Sequence, residues 1–259
     1  MIQNATYKLM RCAVLLICVI SAADVLAAPD EIMVYTDEMN DPGKFGLELH
    51  LNYSVKGAQT PEYPGQMAPH HVIQANPEFS YGINKNFDAG LYLPVALAPD
   101  GNSFINALRG RLKYIAPKTG NENFFYGLNV ELSRDSIRVS ESALGIELRP
   151  IVGYRDAKWL LSFNPILNVG LSDNVSHQAQ FEPALKLTHR VGEKTHAGVE
   201  YYGMYGALDQ MQPANQLSHT LYAVLDTDVQ GMDINFGIGH GFVNVTDEWV
   251  LKGVISLPI

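Results

Sequence analysis

Between Phe45 and Val55 the chain alternates with a period of two. Phe45, Leu47, Leu49, Leu51, Tyr53 and Val55 are apolar, and Gly46, Glu48, His50, Asn52 and Ser54 stand between them. Successive side chains of a strand point to opposite faces, so this run predicts a strand with one oily and one polar side. It is longer than the roughly five or six residues of an ordinary strand and matches the roughly 9–11 residues with which a tilted strand crosses a bilayer. The pattern returns at 73–83, 87–97, 108–116, 124–132 and 144–154, and again at about 159–171, 179–191, 196–206, 217–229, 232–242 and 249–257. Twelve such runs predict an all-β fold, a transmembrane antiparallel barrel, whose bacterial single-chain forms have an even strand number.

The connections sort by length. Short ones fall at 83–86, 155–158, 192–195 and 229–231, with a slightly longer one near 117–122. Longer ones fall at 56–71, 98–103, 134–142, 171–178, 207–216 and 243–248, so the two kinds alternate along the chain. A soluble sandwich has no reason to place all its short turns at one end, whereas outer-membrane barrels combine short periplasmic turns with longer outer loops. Aromatic residues gather at the strand ends. Phe45, Tyr81, Phe87, Tyr114, Phe124, Tyr154 and Trp159 lie at the short-turn end, and Tyr53, Tyr205, Phe242 and Trp249 near the long-loop end. Two interfacial girdles are the expected reading.

Before the first strand, Lys8 and Arg11 precede the apolar stretch Cys12–Ile20, and Val25-Leu26-Ala27 offers a small residue for cleavage. This is the layout of a Sec-type signal peptide over 1–27, with an apolar stretch too short to span as a helix. Residues 28–42 then read as an acidic periplasmic segment, with five carboxylates and no basic residue from Asp30 to Pro42, and 43–259 as the barrel. Both cysteines lie in the leader, so the mature chain is expected to have no disulfide, thiolate metal site or cysteine nucleophile. Removing the leader takes two of 18 basic and one of 27 acidic residues, and the net charge moves from −9 to −10. An acidic surface argues against nucleic acid as a partner.

The polar face carries Glu48, Glu78, Asp88, Arg109, Arg111, Lys113, Glu131, Glu147, Arg149, Glu182, Lys186, Arg190, Glu200 and Lys252. Charge is costly on a lipid-facing wall, which turns this set toward the lumen. There it forms either a mutually paired network filling a narrow barrel or the wall of a water-filled channel that selects solutes, with Arg109, Arg111 and Lys113 attracting anions. Asn235, Gly237, Gly239 and Gly241 share one face and leave space for large neighbours or for a solute. Pro77, Pro150, Pro165 and Pro183 fall on the outward face, each removing a ladder donor, and are expected to mark bulges or bends.

No catalytic motif emerges. There is no Gly-x-Ser-x-Gly, and neither His-x-Ser nor Ser-x-His occurs. Gly237–Gly241 lacks the strand-to-helix setting of a dinucleotide fingerprint. His70-His71 reads as an exposed loop pair without further ligands, so neither metal nor cofactor is expected. His196 and Glu200 share one face as the sole candidate acid–base pair.

Several segments resemble a family of bacterial outer-membrane barrels described as transporters and named for the meta-cleavage pathway of phenol degradation. They are Val34-Tyr35-Thr36, Asp41–Phe45, Leu47–Tyr53, Glu147–Ile151, Lys158–Ser162, Asn164–Leu167, Phe181–Lys186, Gly198–Tyr202 and Asp233–Gly239. The resemblance implies an outer-membrane location and a channel or transporter for small solutes, hydrophobic or aromatic ones among them. It carries over no catalytic residues. The alternatives are a lipid- or lipopolysaccharide-modifying enzyme and a structural or adhesive barrel acting through its outer loops. Membrane lipid, lipopolysaccharide and the barrel-assembly machinery are the expected partners. The ending Leu257-Pro258-Ile259 departs from the terminal Phe usual in such barrels.

Overall fold

The computed structural model describes residues 31–118, 120, 122–213, 217–242 and 247–258. The expected leader and its two cysteines lie outside the described residues. Fourteen strand segments and no helix are found among those described: β1 Phe45–Gly57, β2 Ile73–Asn84, β3 Phe87–Tyr92, β4 Val95–Leu97, β5 Ser103–Ile105, β6 Ala107–Ile115, β7 Phe124–Asp135, β8 Leu144–Arg155, β9 Trp159–Gly170, β10 Gln180–Arg190, β11 Thr195–Met204, β12 Ser218–Val229, β13 Met232–Phe242 and β14 Asp247–Pro258. They make twelve staves, because β3 and β4 both pair with β2 and form one stave broken at Leu93-Pro94. The next stave is β5 with β6, which pair with β4 and β3 in turn. Ser103–Ile105, expected to border a loop, is thus strand, and the turn between the staves is shorter than anticipated.

Every pairing is antiparallel between chain neighbours, and β1 also pairs with β14, with Leu49 opposite Ile255, closing the sheet. Closure leaves no unpaired edge. A two-residue turn joins β12 and β13 through Gln230 (φ 57°) and Gly231 (φ 85°). Two consecutive left-handed residues make a type I′ turn, whose twist suits the flanking strands.

Alternation sorts the two faces. Along β9 the outward Leu161 and Phe163 are 40% exposed, while the inward Ser162 and Asn164 are fully buried. Phe79, Leu91, Leu132, Val152, Leu221 and Phe236 continue the apolar outer surface around the wall. Rings pair across neighbouring staves at the short-turn rim: Phe45 with Tyr81 (4.8 Å), Phe87 with Tyr114 (5.0 Å) and Phe124 with Tyr154 (5.2 Å). At the opposite rim Phe181 meets Tyr205 (5.7 Å) and His240 meets Trp249 (4.5 Å).

The prolines correct one expectation, since none sits at a shift of register. Between β8 and β9 pairing lapses from Leu148 to Val152 and resumes in the same register. That places Pro150 across from Pro165, which in turn pairs with Pro183. Three residues without an N–H thus stand side by side across three staves, so the ladder loses donors locally without an inserted residue. The bulges lie elsewhere, between Ser54 and Gly57 and between Gly82 and Asn84.

The acidic segment before β1 takes a course that alternation does not foretell: residues 31–40 run inside the barrel. Ile32, Val34, Tyr35 and Thr36 are at most 3% exposed. Gly46 and Gly82 admit the segment at the short-turn rim: a Cβ on either would collide with the Asn40 side chain or the Asn40 and Asp41 carbonyls. Asn40 is held there by Asp88 (2.6 Å) and Ser80 (2.8 Å).

Candidate functional site

The interior is assembled from the inward positions of the staves. Cross-strand neighbours lie about 4.5–5.5 Å apart at Cβ, so the register alone places Asp88 beside Lys113, Arg111 beside Glu131, Glu131 beside Glu147 and Lys186 beside Glu200. Arg111 bonds Glu78 (2.5 Å), Asp88 (2.6 Å) and the Tyr92 hydroxyl (3.0 Å). Arg109 reaches Asp135 at 3.1 Å and Glu131 at 3.9 Å. Arg149 forks onto Glu147 (2.6 and 3.1 Å). Lys186 bridges Asp226 (2.8 Å) and Glu200 (3.2 Å). Lys252 donates to Glu200, and Asn168 donates to Glu182 at 2.6 Å. The three cations expected to attract anions therefore face carboxylates or backbone acceptors already.

Arg190 differs from the rest of the expected lumen set. It is exposed at the end of β10 and donates to the carbonyls of Gly192 (3.0 Å) and Glu193 (2.7 Å), tying the β10–β11 turn. The inward glycines of β13 leave no free space at Gly237 and Gly239, where the side chains of Lys252 and Tyr222 lie over them. His196 and Glu200 are not brought together. Four residues along a strand span about 13 Å, and Glu200 is occupied by Lys252, Lys186 and Tyr202.

The N-terminal segment completes the interior. Tyr35 packs on Ile115, Phe125, Ile151 and Leu160, Val34 on Ile166 and Ala184, and Ile32 on Tyr222, Val224 and Val250. Only a chain inside the barrel can touch β6 through β10, β12 and β14 at once. Asn164 mimics a strand neighbour, accepting from the Tyr35 N–H (2.7 Å) and donating to its carbonyl (3.1 Å), and Ser162 donates to the same carbonyl (2.6 Å). The Tyr35 and Tyr92 hydroxyls share a hydrogen bond of 2.5 Å. The guanidinium of Arg149 lies 4.3 Å from the Tyr35 ring centre and the ammonium of Lys113 5.1 Å, a cation–π arrangement. Three carbonyls of the segment accept from wall cations: Glu38 from Lys113 (2.6 Å), Met33 from Arg149 (3.2 Å) and Ile32 from Lys252 (3.0 Å).

Inner-wall groups of a water-filled lumen would be wet. Here Tyr92, Ile151, Asn164 and Ala184 are 0% exposed and Glu200 1%. At the level of Val34 and Tyr35 the barrel is closed.

Sequence reasoning missed His50, Tyr92, Asp135 and Asp226, which complete these clusters. Parity was the available signal for His50, which shares its face with Glu48 two residues away.

Fold and interior together define a class: a closed twelve-stave antiparallel barrel with an apolar outer surface and a lumen filled by its own N-terminal segment. Among solved structures, the COG4313 outer membrane channel from Pseudomonas putida F1 is similar at 12% identity, TM-score 0.59, over 88% of this chain and 100% of that one. The NanC porin is similar at 10% identity, TM-score 0.54, over 82% and 98%. No protein-family model matches the sequence, and no curated protein matches it.

Proposed function

We propose that this chain is a Gram-negative outer-membrane channel for small solutes, closed at rest by residues 31–40. The carrying observation is how that segment is held. It joins no ladder of the sheet, and its bonds to the wall run to side chains such as Asn164, Ser162, Lys113 and Lys252. It can therefore leave without opening the barrel. The apolar exterior supports a hydrocarbon environment, because a belt of this extent would be an aggregation surface in water. In this reading the leader directs export, the short turns face the periplasm and the longer loops face outward. Lipopolysaccharide and the barrel-assembly machinery are then the partners of insertion. The two similar structures are named as an outer membrane channel and a porin. The solutes suggested by the resemblance, hydrophobic or aromatic, would meet the inward rings of Tyr92, Tyr202 and Tyr222 once the segment leaves.

A reversible lock tests it. Val34 and Ala184 belong to one small buried cluster, and the mature chain carries no other thiol, so Val34→Cys with Ala184→Cys is the pair to bridge across the lumen. In planar bilayers the oxidised variant should remain silent, and reduction should restore the openings seen in wild type. Deleting residues 31–38 should give steady conductance. Absence of conductance from the folded, reduced and deleted forms alike would defeat the channel reading.

A further inference from the structure

We propose that Glu48, His50 and Glu78 on the inner wall form a binding site for one divalent transition cation of the Zn2+ class. Glu48 and His50 are two apart on β1 and share its inward face, and Glu78 on β2 pairs directly with Glu48. His50 Nε2 lies 3.6 Å from Glu48 Oε2 and 3.6 Å from Glu78 Oε2. That separation exceeds a hydrogen bond, which runs to about 3.2 Å. It is what two ligands of one ion show: bonds of about 2.0–2.2 Å, opened at tetrahedral to trigonal angles, put the donors about 3.4–3.6 Å apart. One donor atom from each residue lies within 4.8 Å of the others.

The polar bookkeeping points the same way. His50 is fully buried, yet neither ring nitrogen has a hydrogen-bond partner, and Glu48 Oε2 has none either. Buried polar atoms of native proteins are nearly always satisfied. Asn76, across the ladder from His50, is also fully buried with both amide atoms unpartnered, a second unsatisfied polar group beside the cluster. Arg111 holds Glu78 through the other carboxylate oxygen, Oε1, which turns Oε2 toward His50. Three carboxylates, Glu48, Glu78 and Asp88, face Arg111 and Lys113 here, which leaves a negative excess for a cation to neutralise. An imidazole among carboxylates suits Zn2+, Co2+ or Mn2+, whereas Ca2+ and Mg2+ favour oxygen ligands alone. Glu48 keeps 26% of its side chain exposed, giving the ion a way in.

The experiment uses the refolded full barrel in detergent, in a His70→Ala/His71→Ala background that removes the adjacent loop imidazoles. After loading with ZnCl2 or CoCl2 and desalting, one equivalent of metal should remain, and Co2+ should show a visible ligand-field band. His50→Gln and Glu78→Gln should each weaken binding by about tenfold or more, with heat-modifiable gel mobility reporting that the barrel still folds. If Glu78→Gln fails to fold, Glu48→Gln replaces it. No stoichiometric metal on folded protein, or equal retention by His50→Gln, would overturn the site; either outcome would leave a proton on His50 as the bridge between the carboxylates.

Discussion

Two ionic clusters line neighbouring parts of the wall, meeting where β14 pairs with β1, and they are built to different standards. On the side of β10 to β14, Lys252 is bonded to Glu200, to the Ile32 carbonyl (3.0 Å) and to the Tyr202 hydroxyl (3.4 Å). Glu200 uses both oxygens, one on Lys252 and Tyr202, the other on Lys186 and Asn235. On the side of β1 and β2, Arg111 is ion-paired with Glu78 and Asp88, but His50, Asn76 and one oxygen of Glu48 have no hydrogen bond. Both clusters are buried and both arise from the same inward alternation. The first pairs every charge within itself or with the N-terminal segment and leaves only the Asn235 Oδ1 without a hydrogen bond, close to what a structural network requires. The second leaves donors converging on one point, as a binding site does.

The comparison breaks if the two clusters respond alike to losing one member. Lys252→Met leaves Glu200 with Lys186 as its one ion-pair partner in a dry site. Because removing one partner of a buried pair costs up to about 3–5 kcal/mol, a loss of about 2–3 kcal/mol is expected here. The urea midpoint of the detergent-folded barrel, followed by fluorescence of Trp159 and Trp249, should fall accordingly. An unchanged midpoint would mean that the saturated cluster is dispensable. Next in size is Tyr35→Ala. Truncating a buried aromatic costs about 3 kcal/mol or more, but here the loss falls on docking of the segment rather than on the sheet. Channel openings should become frequent while the unfolding midpoint moves little. A large midpoint shift with no change in openings would show the segment to be part of the folded wall.

How much of this was legible depended on the range of the interaction. Staves are set by alternation that each segment carries itself, so Phe45–Val55 or Trp159–Gly170 announce their faces without knowledge of neighbours. The register of charges followed from counting along hairpins, and Lys186 beside Glu200 could be placed that way. The course of residues 31–40 could not. Ile32, Val34 and Tyr35 do look apolar at alternate or adjacent positions, but what buries them lies on β6 to β14, as with Lys252 on the Ile32 carbonyl. The acidic run from Asp30 to Pro42, five carboxylates with no basic residue, hid this course, because the wall partners Arg149, Lys118 and Arg155 become neighbours only when the barrel closes. His50 was hidden differently: one histidine in a strand carries no metal spacing, and Glu78 joins it only across the ladder.

Removing Glu48 should do far less than removing Lys252. Its Oε2 has no hydrogen bond and its side chain is partly exposed, so Glu48→Gln should shift the urea midpoint by less than about 1 kcal/mol in metal-free buffer. A loss as large as that of Lys252→Met would erase the contrast between the clusters and make Glu48 an essential ionic partner.

The smallest effect concerns the tether at the short-turn rim. Burial alone would raise the Asp37 carboxyl, but its hydrogen bond to Lys118 (2.8 Å) and its pairing with Arg155 (2.8 Å) outweigh this and hold it below the usual aspartate value. A carboxylate lowered in the folded state lends its stability in full above its unfolded value, about 3.9, and loses it as pH falls through the lower folded one. The docking of residues 31–40 should accordingly be level from pH 8 to pH 5 and weaken only below about pH 4. Lys118 and Arg155 are 39% and 33% exposed, so the pair is worth about 1 kcal/mol or less. Opening frequency against pH, compared with Asp37→Asn, measures it. The variant should open slightly more often at neutral pH and lack the acid rise. A rise centred between pH 6 and 7 in wild type would instead place the release on a histidine, and would move attention from the Asp37 tether back to His50.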